Sequence, residues 1–220
     1  MMQRMLAAIL ICGSSLILSC TADYGDNPIQ PELEEYKGIP LVIFDTDIGS
    51  STDDLSPLTG VELVRKKVKC LYLMAGVFTS SEEADYNFLQ DPATTRKLYE
   101  LWPRDVAVVF SPMEVGNDIE YRPELVLSDI NWTDVHPIKQ VYMKYNCDTG
   151  QKMWDPLTVI NAVEGDALFT LSEPGIVTLT PACVTIFTPS PTGNDRYQEP
   201  GSAAWSEDML QKIRRYNRLR

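Results

Sequence analysis

The chain has 220 residues, 31 acidic against 19 basic, a formal net charge of −12 at pH 7, and 44% hydrophobic residues. That balance argues against nucleic acid and anionic lipid as partners, because both would be repelled. The apolar fraction is enough for a packed core, and the roughly 180 residues left after the N-terminal segments suit one domain.

In chain order, Met1 to Ser19 places Arg4 ahead of the apolar runs Met5 to Cys12 and Leu16 to Leu18. It reads as a secretory signal, residues 1–19, and is too short to span a bilayer. Ile17-Leu18-Ser19-Cys20 resembles a bacterial lipobox, which makes Cys20 the lipidated first residue; an ordinary signal cleaved elsewhere is the alternative. The lipobox implies secretion across the inner membrane and a cell-envelope lipoprotein, periplasmic or outer-membrane, touching the membrane only through its lipid. Residues 20–38 then form an acidic, Pro-containing tether, and residues 39–220 the folded domain.

Within that domain strands are predicted at 41–45, 70–75, 105–110, 175–180 and 183–188. The first three alternate with helices near 53–68 and 91–102, the second opened by Asp91-Pro92, a cap followed by proline at the first helical position. Further helices are expected at 134–146, 155–164 and Ser206 to Leu219. In the last, Glu207 and Asp208 fall in the first turn, and Arg214, Arg215 and Arg218 towards the end read as complements to the helix dipole. Pro181-Ala182 is the turn of a hairpin. The fold class is therefore α/β: an open, mostly parallel sheet flanked by helices, with a short antiparallel hairpin near the C-terminus. Cys70, Cys147 and Cys183 cannot all pair and show no Cys-x-x-Cys spacing, so they read as core residues.

Chemistry concentrates where the first strand ends. Leu41-Val42-Ile43-Phe44 runs into Asp45, Asp47, Asp53 and Asp54, and the carboxyl end of a parallel strand is where open α/β sheets bind ligands. Helix capping accounts for Asp53 and Asp54 but not for Asp45 and Asp47 in the same loop. Carboxylates held together repel unless protons or a cation neutralise them, and all-oxygen ligation suits a hard ion such as Ca²⁺ or Mg²⁺. An EF-hand loop is excluded, because Gly49, Ser50 and Ser56 stand at its fifth, sixth and twelfth positions. A dehalogenase-type phosphatase would use Asp45 as nucleophile and Asp47 as acid/base, but Ile48 and Gly49 follow where that family has Gly and then Thr or Val.

The strand, Asp-x-Asp-x-Gly, spacer and Asp-Asp resemble the N-terminal signature of the inosine-uridine nucleoside hydrolase family. Asp85-Tyr86-Asn87-Phe88 with Asp91-Pro92-Ala93 is similar to that family's Glu-Phe-Asn segment, and Trp154-Asp155-Pro156-Leu157 to its late His-Asp-Pro segment. Phe110 to Gly116 looks like the strand and turn between them. The resemblance implies hydrolysis of ribonucleosides to ribose and free base, with Ca²⁺ held by Asp47, Asp54 and Asp155. Asp47 would take a proton from the attacking water, Asp53 would bind a ribose hydroxyl, and Asn87 and Asp85 other parts of the sugar. Trp154 would stack on the nucleobase, since an indole does not titrate as the family's His does; the alternative is a Trp that closes the core. Two departures stand out. The spacer Ser50-Ser51-Thr52 is longer than in the better-known members, and only a short stretch separates Asp54 from Asp85, where full-length relatives carry further strands and helices. A shortened, catalytically degenerate nucleoside-binding lipoprotein is the rival reading, and whether a homo-oligomer restores the missing wall is left open. The single histidine, His136, is expected at the surface or capping a helix.

Overall fold

The computed structural model describes residues 42–43, 57–144 and 150–219. Asp45, Asp47, Asp53, Asp54, Cys20 and Cys147 lie outside the described residues. The element order is β1 (Val42–Ile43), α1 (Pro57–Lys67), β2 (Cys70–Leu73), α2 (Tyr86–Gln90), α3 (Pro92–Leu101), β3 (Ala107–Phe110), α4 (Met113–Gly116) and β4 (Glu120–Tyr121). It continues with α5 (Pro123–Asp129), α6 (Pro137–Lys144), β5 (Gln151–Lys152), α7 (Trp154–Glu164), a 3-10 turn (Asp166–Leu168), β6 (Gly175–Leu179), β7 (Thr185–Pro189), β8 (Asp195–Tyr197) and α8 (Ala203–Asn217).

The main sheet has six strands in the order β1-β2-β3-β8-β6-β7, and β4 and β5 form a separate antiparallel pair. β1, β2, β3 and β8 are parallel, whereas β6 runs antiparallel to both β8 and β7. Short, mainly apolar strands such as Ala107-Val108-Val109-Phe110 suit a sheet covered on both faces. One core packs Leu71, Val108 and Phe110 against Tyr99 and Trp102, with Val177 and Cys183 from the hairpin side. The other joins α5, α7 and α8 through Val126, Ile130, Leu157, Ile160, Met209 and Ile213. Each such side chain contributes about 1.5–3 kcal/mol when fully buried. Among the described residues no helix is long and apolar enough to cross a membrane.

Helix starts follow side-chain chemistry. Asp91 caps α3 by accepting from Thr94 N at 3.0 Å, with Pro92 at the first helical position as expected. The expected hairpin is present: Cys183 N donates to Thr180 O at 2.9 Å around Pro181-Ala182. It is not a separate feature, however, because β8, which no apolar run announces, pairs with β3 on one side and β6 on the other.

The last helix begins earlier than expected, at Ala203, because the Ser202 hydroxyl accepts from Trp205 N. Glu207 and Asp208 therefore lie beyond its first turn. Arg214 and Arg218 are not free dipole complements either: both reach back to the buried Asp129 on α5, at 2.9 and 2.7 Å. His136 stands just before α6, its carbonyl accepting from Gln140 N at 2.9 Å and its ring edge-on to Trp132. Cys70 and Cys183 are unpaired thiols, the second fully buried.

Candidate active site

The parallel strands end level with one another. Ile43 pairs with Tyr72, Leu73 with Phe110, and Phe110 with Tyr197, so the segments leaving β2, β3 and β8 emerge at one edge of the sheet. That carboxyl edge is where a ligand crevice forms in open α/β folds. The acidic stretch follows β1 in sequence and lies outside the described residues.

After β2 the chain turns at Gly76, whose φ of +94° and contact with the Phe78 ring leave no room for a side chain. The segment after β3 is stitched to it, since Ser111 N donates to Leu73 O at 2.8 Å and Met113 N to Gly76 O at 3.3 Å. Glu114 completes the seam. Its Oε1 accepts from Phe78 N and Thr79 N at 2.6 and 2.8 Å, and its Oε2 is buried without a partner among the described residues. In sequence Glu114 is only an acid shortly after a strand end, within the Phe110 to Gly116 segment, and nothing there marks its role.

The structure brings Asp85, Asn87, Trp154 and Asp155, from two distant segments, to this edge. Asp85 is 2% exposed and caps α2, accepting from Asn87 N at 2.8 Å and Phe88 N at 3.3 Å. Burial raises its carboxyl above the ordinary range, partly offset by the N–H groups of Phe88, Asn87 and Gly76. Asn87 turns back to the end of β2, where its Nδ2 donates to Met74 O at 3.1 Å and lies 3.2 Å from Met74 Sδ. With both acceptors on the nitrogen side, the amide oxygen is the atom left for another donor.

Trp154 opens α7 half-buried against α4, its Nε1 donating to Met113 O at 3.0 Å and Asn117 Oδ1 at 3.1 Å. Gly116 makes this approach feasible, because a Cβ there would lie 2.9 Å from Trp154 Cα. Asp155 follows in the first turn of α7. Burial pushes its carboxyl up, and its own backbone N–H is the one donor that offsets this among the described residues. Among the described residues no three His, Cys, Asp or Glu side chains stand close enough to share a metal ion.

No family model matches the chain, and no curated protein matches it. Solved structures do. One is a plant nucleoside hydrolase, the PpNRh1 enzyme, at a TM-score of 0.50 and 14% identity over 71% of this chain and 57% of that one. Another is an inosine-uridine preferring nucleoside hydrolase from Bacillus anthracis, at 0.48 and 17% over 72% and 55%. A third is a purine-preferring ribonucleoside hydrolase from Gardnerella vaginalis, at 0.48 and 18% over 79% and 71%. What the plant enzyme and this chain share at that identity is the fold, an α/β sheet with flanking helices. The chain spans little more than half the length of the first two.

Proposed function

We propose that this protein hydrolyses the N-glycosidic bond of ribonucleosides, releasing ribose and free base, with a divalent cation as cofactor. The observation that supports this best is Asp155, a half-buried carboxylate at the carboxyl edge of the parallel strands with no cationic partner among the described residues. A hard oxygen donor in that state fits Ca²⁺, and Asp47, Asp54 and Asp155 are the residues that would hold it. Bound there, the ion supplies a more acidic water and a template for the sugar diol.

The chain's own residues do the rest. Cleavage builds oxocarbenium-like charge on the ribose, which the carboxylates of Asp47, Asp53 and Asp54 stabilise. Asp47 accepts the proton of the attacking water, and Asp53 accepts a hydrogen bond from a ribose hydroxyl. Asn87 offers its amide oxygen to another sugar hydroxyl, since its nitrogen is already committed to Met74. Asp85 holds the start of α2 and so the orientation of Asn87. Trp154 presents a ring face for the base while its N–H anchors it to α4. Cys20 carries the lipid that retains the protein in the cell envelope.

A second reading, a nucleoside-binding lipoprotein that turns nothing over, draws support from the short stretch between Asp54 and Asp85, where full-length relatives carry further strands and helices. The two part in a chromatographic assay of inosine, uridine, adenosine and cytidine incubated with the full chain, with Ca²⁺ or with chelator. Free base formed only with Ca²⁺ is the expected result. Nucleoside bound but recovered intact from a folded protein would leave the binding reading in its place.

A further inference from the structure

We infer that Gln198 is a positioning residue that pins α7 at Asn161, nearly two turns beyond Asp155, and through the helix holds the Asp155 carboxylate at the carboxyl edge of the sheet; the inference rests on the metal-site reading above. Gln198 immediately follows β8, is 1% exposed, and its backbone N donates to Phe110 O at 2.9 Å. Its side chain is the middle of a buried relay. Ser111 Oγ donates to Gln198 Oε1 at 2.8 Å, Gln198 Nε2 donates to Asn161 Oδ1 at 2.7 Å, and Asn161 Nδ2 donates to Asp166 Oδ1 at 2.8 Å.

The direction of this relay is determined. Asn161 turns its NH₂ to the Asp166 carboxyl oxygen and its own oxygen to Gln198. That orients the Gln198 amide, whose oxygen is left for the Ser111 hydroxyl. Gln198, Asn161 and Ser111 are all buried, at 1%, 0% and 2% exposure. A hydrophobic side chain would fill the same space without specifying one register between β3, β8 and α7; the amide chain specifies it.

A second tether closes the circuit. Trp154 Nε1 donates to Met113 O at 3.0 Å, and Met113 lies just beyond Ser111 on the same segment. The path therefore runs from Ser111 through Gln198 to Asn161, back along α7 to Trp154, and through Met113 to Ser111. At 1.5 Å per residue the two tethers on α7 are about 10 Å apart, and Asp155 sits between them. Its placement comes from bonds that do not involve its own charge. The two tethers thus act on Asp155 through the helix backbone and not through its carboxylate.

Calorimetric titration of the full chain with Ca²⁺, together with hydrogen exchange over residues 157–164 of α7, tests this in Gln198→Met. Tyr99→Phe is the control, because it removes another buried hydrogen bond, Tyr99 OH to Asp195 Oδ2 at 2.8 Å, that is not part of the relay. Gln198→Met is expected to weaken Ca²⁺ binding several-fold and to speed exchange along α7 around Asn161, with Tyr99→Phe within about twofold of the wild type. Wild-type affinity and exchange in Gln198→Met would overturn the inference, as would equal losses in both variants, which would mark general destabilisation. If the wild type takes up no Ca²⁺, the metal reading fails and exchange alone decides. Faster exchange confined to Gln198→Met supports the positioning role, and unchanged exchange overturns it.

Discussion

Asp129 is buried and Asp155 half-buried, and their carboxyls are shifted in opposite directions. Asp129 has a fully buried side chain but accepts from Tyr121, Arg214 and Arg218. Burial alone would raise its carboxyl, and those partners more than offset it, so the group lies below the usual range. A lowered folded pKa contributes stability above about pH 4 that is lost as pH falls through the lowered value. Asp129→Asn should therefore flatten the acid limb of a stability-against-pH curve below that point. At neutral pH it should cost about 3 kcal/mol, because Arg214 loses its partner; chemical denaturation across pH 2.5–7 reads both, the window being set by the roughly pH 4 reference value. Asp155 has no such partner among the described residues, so Asp155→Asn should leave the metal-free protein as stable or more so. A gain of about 1 kcal/mol would raise Tm by about 2–4 °C in chelator, with the Ca²⁺-induced shift abolished. A fall in metal-free Tm would mean that the carboxylate is held by a charge partner instead.

Elements that rest on local signals were legible, and those that rest on tertiary bonds were not. α3 follows from Asp91-Pro92, and both α3 and α7 stand close to where they were expected. β8 escaped notice because Asp195-Arg196-Tyr197 has no apolar run. It is held instead by Asp195, which accepts from Tyr99 OH and Val177 N at 2.8 and 2.7 Å, and by Tyr197 stacked 4.2 Å from Phe78. The start of α8 was misplaced because the capping serine is Ser202 and not Ser206. β7, at the sheet edge, ends in Pro189, which lacks the N–H that a further strand would pair with. The contact between α4 and α7 gives the sharpest test at this scale. Gly116→Ala would press a methyl onto the Trp154 backbone and displace the first turn of α7, at a cost of about 1–3 kcal/mol. Its unfolding midpoint should drop accordingly, and an unchanged midpoint would show that the two helices are free to separate.

At the scale of the whole molecule, four parallel strands deliver separated stretches of chain to one edge of the sheet, and the antiparallel hairpin extends the opposite side. The carboxylate and asparagine motifs were visible in sequence because their chemistry is local to short segments. The bonds that bring those segments together, through Glu114, Gly116 and Gln198, were not, since each depends on a partner far along the chain. The proposed activity is ribonucleoside hydrolysis with Asp47 as the base. Steady-state ribose release in Ca²⁺ by the wild type and by Asp47→Ala, with Tm measured on the same samples, tests it most directly. The expected result is a turnover loss of about 10²–10⁴-fold in Asp47→Ala at an unchanged Tm. Equal turnover in the two proteins, or no ribose released by a folded wild type, would contradict it.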